Sequence, residues 1–136
     1  MSRENSELVR RAFEDQPLRE TAEAYWDPQI EYVEDPRLPD SASHRGREEV
    51  FRRWQTYLDV LGEEADIAIA VEDVVDAGDV QVPFVRFSGH AKASGVPFEH
   101  LWGYVAKVKD RRITYLRAYY VPEEALEAAG LSPDHE

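Results

Sequence analysis

Apolar positions recur at helical spacing in three stretches of the first half of the chain, then alternate with polar ones through the second half. Leu8, Val9, Ala12 and Phe13 fall on one helical face behind Asn5 and Ser6, either of which can cap, so the pattern predicts a helix from Ser6 to Glu14. Pro17 suits the first turn of a second helix, which carries Leu18, Ala22 and Tyr25 and is broken by Asp27-Pro28 just after Trp26. A short strand, Gln29 to Val33, follows. The strongest stripe belongs to a third helix: Val50, Phe51, Trp54, Tyr57, Leu58 and Leu61, opened by Gly46-Arg47-Glu48 and closed by Gly62.

Beyond Gly62 the period changes. Ile67, Ile69 and Val71 alternate, Gly78-Asp79 turns, and Val80 to Lys92 reads as a strand. Ser94-Gly95 turns again into a strand from Phe98 to Lys109, and Asp110-Arg111 leads to a last strand, Arg112 to Tyr120. Pro122 opens a short closing helix, Glu123 to Ala129, stopped by Gly130. The order ααβαββββ(α) is an α+β arrangement, with helices packed on one face of a curved sheet. One domain spanning 1–131 is expected, with a short tail at 132–136.

If Ser94 and Gly95 are the two turn residues, opposite positions sum to 189. Val85 then faces Tyr104, Phe87 faces Trp102, Gly89 faces His100 and Ala91 faces Phe98, an aromatic face suited to lie under the helices. The other face mixes Phe84, Arg86, Ser88 and His90 with Glu99, Leu101, Gly103 and Val105, and places His90 opposite Glu99. That mixture suits solvent or a second copy of the chain, so a homodimer through the outer face is expected.

Composition narrows the function. Of 136 residues, 43% are hydrophobic and 11% aromatic, enough for a real core. Sixteen basic against twenty-eight acidic side chains leave a net charge of -12, which disfavours nucleic acid and anionic membranes and favours a neutral or weakly charged organic ligand. No apolar run is long enough to span a bilayer, and Met1 to Arg11 is charged where a signal peptide is apolar, so a cytoplasmic location is expected. The absence of cysteine excludes disulfides, thiolate metal sites and a thiol nucleophile. His44, His90, His100 and His135 form no close pair, and neither Walker, dinucleotide nor nucleophile-elbow patterns occur, so no metal or cofactor is expected.

Trp26-Asp27-Pro28, then Ile30 to Pro36, then His44-Arg45-Gly46-Arg47-Glu48 resembles the first half of the nuclear transport factor 2-like superfamily. Val33-Glu34-Asp35-Pro36 followed by Gly46-Arg47-Glu48 is similar to the ketosteroid isomerases. Asp76 to Asp79, Val82-Pro83-Phe84, and Arg112-Ile113 leading to Arg117-Ala118-Tyr119-Tyr120 look like the SnoaL-like polyketide cyclases, as does the ending Glu124 to Leu131. The resemblance covers nearly the whole chain. It implies a cystatin-like cone: a strongly curved mixed sheet with three helices from the N-terminal half on its concave face, an apolar cavity, and a homodimer.

The resemblance also implies roles. Asp35 falls where the isomerases carry their general base, and a carboxylate at an apolar cavity is driven toward higher pKa and greater basicity. The bland alternative is an Asx-Pro turn at Asp35-Pro36. Phe13 falls at or near the isomerase tyrosine of the oxyanion hole and has no hydroxyl to offer. Tyr104 falls at or near the isomerases' protonated aspartic acid and keeps a donor. His100, on the aromatic face, is a third candidate acid or base, against a satisfied structural histidine. Phe13, Tyr25, Trp54, Val85, Phe87 and Trp102 are the candidate ligand-binding residues, with Trp54 also readable as plain core. The leading function is cofactor-independent isomerase, cyclase or dehydratase chemistry on a small hydrophobic molecule; the alternative is a non-catalytic ligand-binding or dimeric assembly module of the same fold. An epoxide-hydrolase reading ranks lower, because its Asp-Arg-Asp constellation has no counterpart here.

Overall fold

The first helix is tied down by polar side chains as much as by its apolar stripe. In the computed structural model, which describes residues 2–15, 18–38, 41–61, 67–90 and 95–131, with the side chains at 2, 57, 58, 60 and 61 left out, α1 spans Ser2–Glu14. Val9, Ala12 and Phe13 are buried on its inner face. Ser6 Oγ donates to Gln81 Oε1 at 2.6 Å, and the Gln81 amide in turn donates to Asp76 Oδ1 and the Gly78 carbonyl, so this fully buried glutamine has every polar atom satisfied. Helix α2 covers Leu18–Tyr25 and α3 covers Arg47–Leu61. Gly46, at φ +95, turns the chain into α3 while its amide donates to the Ile30 carbonyl at 2.8 Å.

Six strands form one mixed sheet: β1 Trp26–Val33, β2 Ser43–Arg45, β3 Ile67–Ala77, β4 Val80–His90, β5 Pro97–Lys109 and β6 Arg112–Tyr119, in the order β2-β1-β6-β5-β4-β3. The β1–β6 pair is parallel and the remaining neighbours are antiparallel. Strand β2 is absent from the sequence reading, because three residues paired to β1 carry no period to detect. The β3 edge is fastened to α1: Arg10 donates to the Val71 carbonyl at 2.8 Å, and the Val71 amide donates to Glu14 Oε2 at 2.8 Å.

The β4–β5 register differs from the expected one. Val85 faces Trp102, Phe87 faces His100 and Gly89 faces Phe98, so opposite positions sum to 187, with His90 opposite Pro97 as the last pair. A slip of two conserves side-chain parity. Val85, Phe87, Trp102 and Tyr104 therefore still point into the core, but Glu99 meets Ser88 and pairs with Arg86 at 3.5 Å instead of facing His90. The expectations placed on Pro17, Tyr57, Leu58, Leu61, Gly62, Ala91, Lys92, Ser94, His135 and the tail lie outside the described residues or side chains.

The concave face carries one continuous core, including Ile30, Tyr32, Val71, Phe87, Tyr104 and Leu116 beneath α1–α3. The convex face carries a second, smaller one under α4, Pro122–Ala128, where Ala125 and Leu126 cover Val82 and Val105 with Phe84 packed alongside. Part of the apolar outer surface that the sequence reserved for a second copy is thus covered from within: Val105 is 7% exposed. Gly103 makes room for this helix, since a Cβ there would sit 2.7 Å from Pro122 Cα, a backbone atom. Gly103→Ala is expected to destabilise the protein by about 1–3 kcal/mol through overpacking. Urea unfolding measures it, and an unchanged midpoint would mean that α4 does not dock there.

Candidate functional site

Strand pairing brings the sequence-nominated polar residues to one end of the cone. Strand β1 continues its alternation past Val33, and β6 delivers Tyr120 beside it. Asp35 is 1% exposed, and its Oδ2 accepts the Tyr120 amide at 2.8 Å. Its Oδ1 accepts the Arg37 amide at 2.9 Å, with Arg37 Nε at 3.3 Å, and its carbonyl accepts the Leu38 amide at 3.0 Å. This is an Asx turn closed by a buried carboxylate. Burial alone pushes the Asp35 carboxyl up, but the Tyr120 and Arg37 amides and the Arg37 guanidinium outweigh it and hold it below the ordinary aspartate range. Arg37 also pairs with Glu124 of α4, linking this turn to the convex face.

His100 reaches the same residue from the other side. Its Nε2 lies 2.8 Å from the Tyr120 carbonyl, its ring stacks on Tyr120 at 3.9 Å, and the Trp102 edge meets it at 5.4 Å. A carbonyl only accepts, so Nε2 carries the proton and a neutral ring keeps its lone pair on Nδ1. Asp35 and His100 are therefore joined through the amide and carbonyl of one residue rather than by direct contact.

Tyr104 lies deeper, 2% exposed, with its ring 4.7 Å from Phe13 and 6.4 Å from both Trp54 and Trp102. Trp54 gathers Phe13, Tyr32, Phe87 and Tyr104 around it, and Val85 is fully buried beside them. Tyr25 packs at the edge of the same core, its hydroxyl donating to Asp15 Oδ2 at 3.0 Å. Between the helices and the sheet an internal space of about 30 Å³ remains, walled by Phe13, Trp26, Trp54, Ile113 and Leu116, with Leu18, Ile69 and Asp15 at its border. Phe13 and Trp54 line it. Asp35, His100, Tyr104, Tyr25, Val85, Phe87 and Trp102 do not.

A buried ionic cluster escaped the sequence reading. Glu34 Oε2 lies 2.5 Å from Arg53 Nε, its Oε1 accepts the Ala42 amide at 3.0 Å, and His44 Nε2 stands 3.4 Å away. His44 Nδ1 faces Glu49 at 3.3 Å. Ile30 and Tyr32 alternate inward, so Glu34 continues their parity; that extension was the available signal.

The sequence matches no protein-family model and no curated protein. Solved structures do match. A ketosteroid isomerase-like protein from Catenulispora acidiphila, solved in complex with trimethylamine, superposes with a TM-score of 0.67 at 21% identity, covering 96% of this chain and 97% of its own. A SnoaL-like protein from Jannaschia sp. CCS1 gives 0.68 at 18% identity over 87% and 85%. A nuclear transport factor 2-like protein of unknown function from Burkholderia pseudomallei gives 0.72 at 14% identity over 91% and 95%. The chain has the nuclear transport factor 2-like, cystatin-like fold. Within that fold its neighbours are ketosteroid isomerase-like and SnoaL-like proteins.

Proposed function

We propose that the protein binds a small, largely apolar organic molecule inside the cone, as a ligand-binding module. The observation that carries this reading is the internal space itself: three aromatic side chains and aliphatic walls, with Asp15 the one charged residue at its border among the described residues. About 30 Å³ is room for a water-sized guest, so a molecule as large as benzene or trimethylamine enters only as the surrounding side chains give way. An apolar body fits the walls, and a cationic end would find the aromatic faces and a field set by a net charge of -12. The trimethylamine complex of the Catenulispora protein supports the idea that this fold takes up a small alkylated guest.

Acid–base chemistry is the second reading, favoured by His100, whose Nδ1 keeps a lone pair in the neutral ring while Tyr120 orients the other nitrogen. Asp35 then acts as a positioning residue, holding Tyr120 through its amide. The geometry weighs against Asp35 as the base, because its oxygens already accept two backbone amides and its lowered pKa disfavours taking up a proton.

The three tryptophans separate the two. Titration with benzene and with trimethylammonium, followed by indole NMR signals, is expected to shift Trp26 and Trp54 saturably and leave Trp102 in place. Shifts confined to Trp102 and the His100 ring would move the ligand to the other end of the cone and favour the second reading. No saturable shift with either probe would overturn binding in this space.

A further inference from the structure

Cations are outnumbered on this chain, sixteen against twenty-eight acidic side chains, and several that bear on the fold are answered by carboxylates, Arg10, Arg19, Arg37, Arg53 and Arg86 among them. Lys109 and Arg111 form no ion pair among the described residues, although Glu4, Asp79 and Asp110 border the same concavity. That concavity is an open groove of about 910 Å³ between α1, the β3–β4 turn and the β5–β6 hairpin, away from the internal space of the cone. Lys107 also borders it, its ammonium 4.8 Å from the Tyr115 ring, and Arg11 is already held by Glu7. Counting these four cations against Glu4, Glu7, Asp79 and Asp110, the walls are neutral on a chain of net charge -12, so an anion meets no net repulsion from them.

The hairpin backbone supplies an independent observation. Asp110 and Arg111 have φ of 52 and 65, left-handed at both central positions of a two-residue turn. Glycine is the usual second residue of such a turn, and aspartate tolerates the first; a long side chain at the second is held at the expense of strain. Strain of this kind concentrates where a side chain is needed. Here it places an arginine, the residue best shaped for bidentate contact with an oxyanion, at the wall of the groove beside Lys109. Leu8 and Val80, both half-buried, add apolar surface to the lining, with Val108 buried behind it.

We propose that this groove binds a small organic oxyanion, a phosphate or carboxylate whose head lies between Lys109 and Arg111 and whose apolar body rests on Leu8 and Val80. The test is an amide NMR titration with inorganic phosphate, phenyl phosphate and benzoate at constant ionic strength. Saturable shifts are expected in the β5–β6 hairpin and α1, with an organic anion bound more tightly than inorganic phosphate; whether phenyl phosphate or benzoate binds better names the head group. Lys109→Gln is expected to weaken binding roughly tenfold without moving the melting temperature. Arg111→Gly and Arg111→Asn are expected to weaken it comparably while raising the melting temperature, because both relieve the left-handed strain. The opposed signs distinguish a ligand-holding arginine from a merely awkward turn. No saturable shift with any of the three probes, equal affinity for inorganic and organic anions, or unchanged affinity in the variants would overturn the proposal.

Discussion

Trp54→Ala is expected to lower the unfolding free energy by about 3–5 kcal/mol, the usual range for truncating a large buried aromatic. Trp54 is 6% exposed in the middle of α3, and its ring lies 5.6 Å from Tyr32, 6.0 Å from Phe87, 6.3 Å from Phe13 and 6.4 Å from Tyr104. No neighbour can collapse into the vacated volume without leaving its own contacts. The new void is also continuous with the internal space of about 30 Å³ that Trp54 already borders. Free indole added to the variant should therefore enter the enlarged cavity and recover part of the lost melting temperature. Urea unfolding gives the magnitude; a loss below about 1 kcal/mol would mean that the inner face of α3 is misassigned.

Asp35→Asn should destabilise the protein by about 1.5–3 kcal/mol near neutral pH, the range for hydrogen bonds to a charged group. The amide oxygen of Asn can accept one of the two backbone N–H groups, but its NH₂ would then confront the other donor or the Arg37 guanidinium. The pH dependence follows from the direction of the shift. Burial raises the Asp35 pKa, the two amides and Arg37 lower it further than burial raises it, and the folded carboxyl titrates below the unfolded one. Its stabilisation is thus complete above the unfolded aspartate value, about 3.9, and is lost as pH falls through the folded value. Asn has no such loss, so the gap between the two proteins should close in acid. A desolvated general base would reverse the sign, leaving the Asn variant as stable as the parent or more so at neutral pH. Thermal melts of both proteins across pH decide between these.

How much of this was legible depended on whether a feature has a period. The stripe Val9, Ala12, Phe13 and the alternation Ile67, Ile69, Val71 announce α1 and β3, and both elements are present, each longer than its apolar pattern. Strand β3 runs on to Ala77 across a register shift between Val71 and Asp73, where alternation fails and so conceals the continuation. The β4–β5 register is not legible from Ser94-Gly95, because turn propensity is local, whereas pairing is set by the whole ladder. The faces nevertheless held, since parity survives a slip of two.

The site was less legible for a related reason. Asp35 could be named from its neighbours in sequence, but its role depends on Tyr120, a partner supplied by the parallel β1–β6 pairing. Glu34 looked like the flank of a motif until its inward parity set it against Arg53. Asp110-Arg111 is legible as a turn, but nothing in the sequence marks Arg111 as taking the left-handed angle that glycine usually fills.

The clamp between α1 and Val71 bears on how the protein avoids self-association. Ile67-Ala68-Ile69-Ala70-Val71 is an uncharged, proline-free segment with strong strand character, and it lies on the outermost strand of the sheet. Such a segment on an open edge is a template for adding another chain strand by strand. Arg10 and Glu14 occupy the outward-facing carbonyl and amide of Val71, so an incoming strand finds its docking groups already taken at that point. Detachment of α1 would uncover both the edge and the apolar face beneath it in one event. The first helix therefore acts as a guard against amyloid-like stacking as well as a lid on the core.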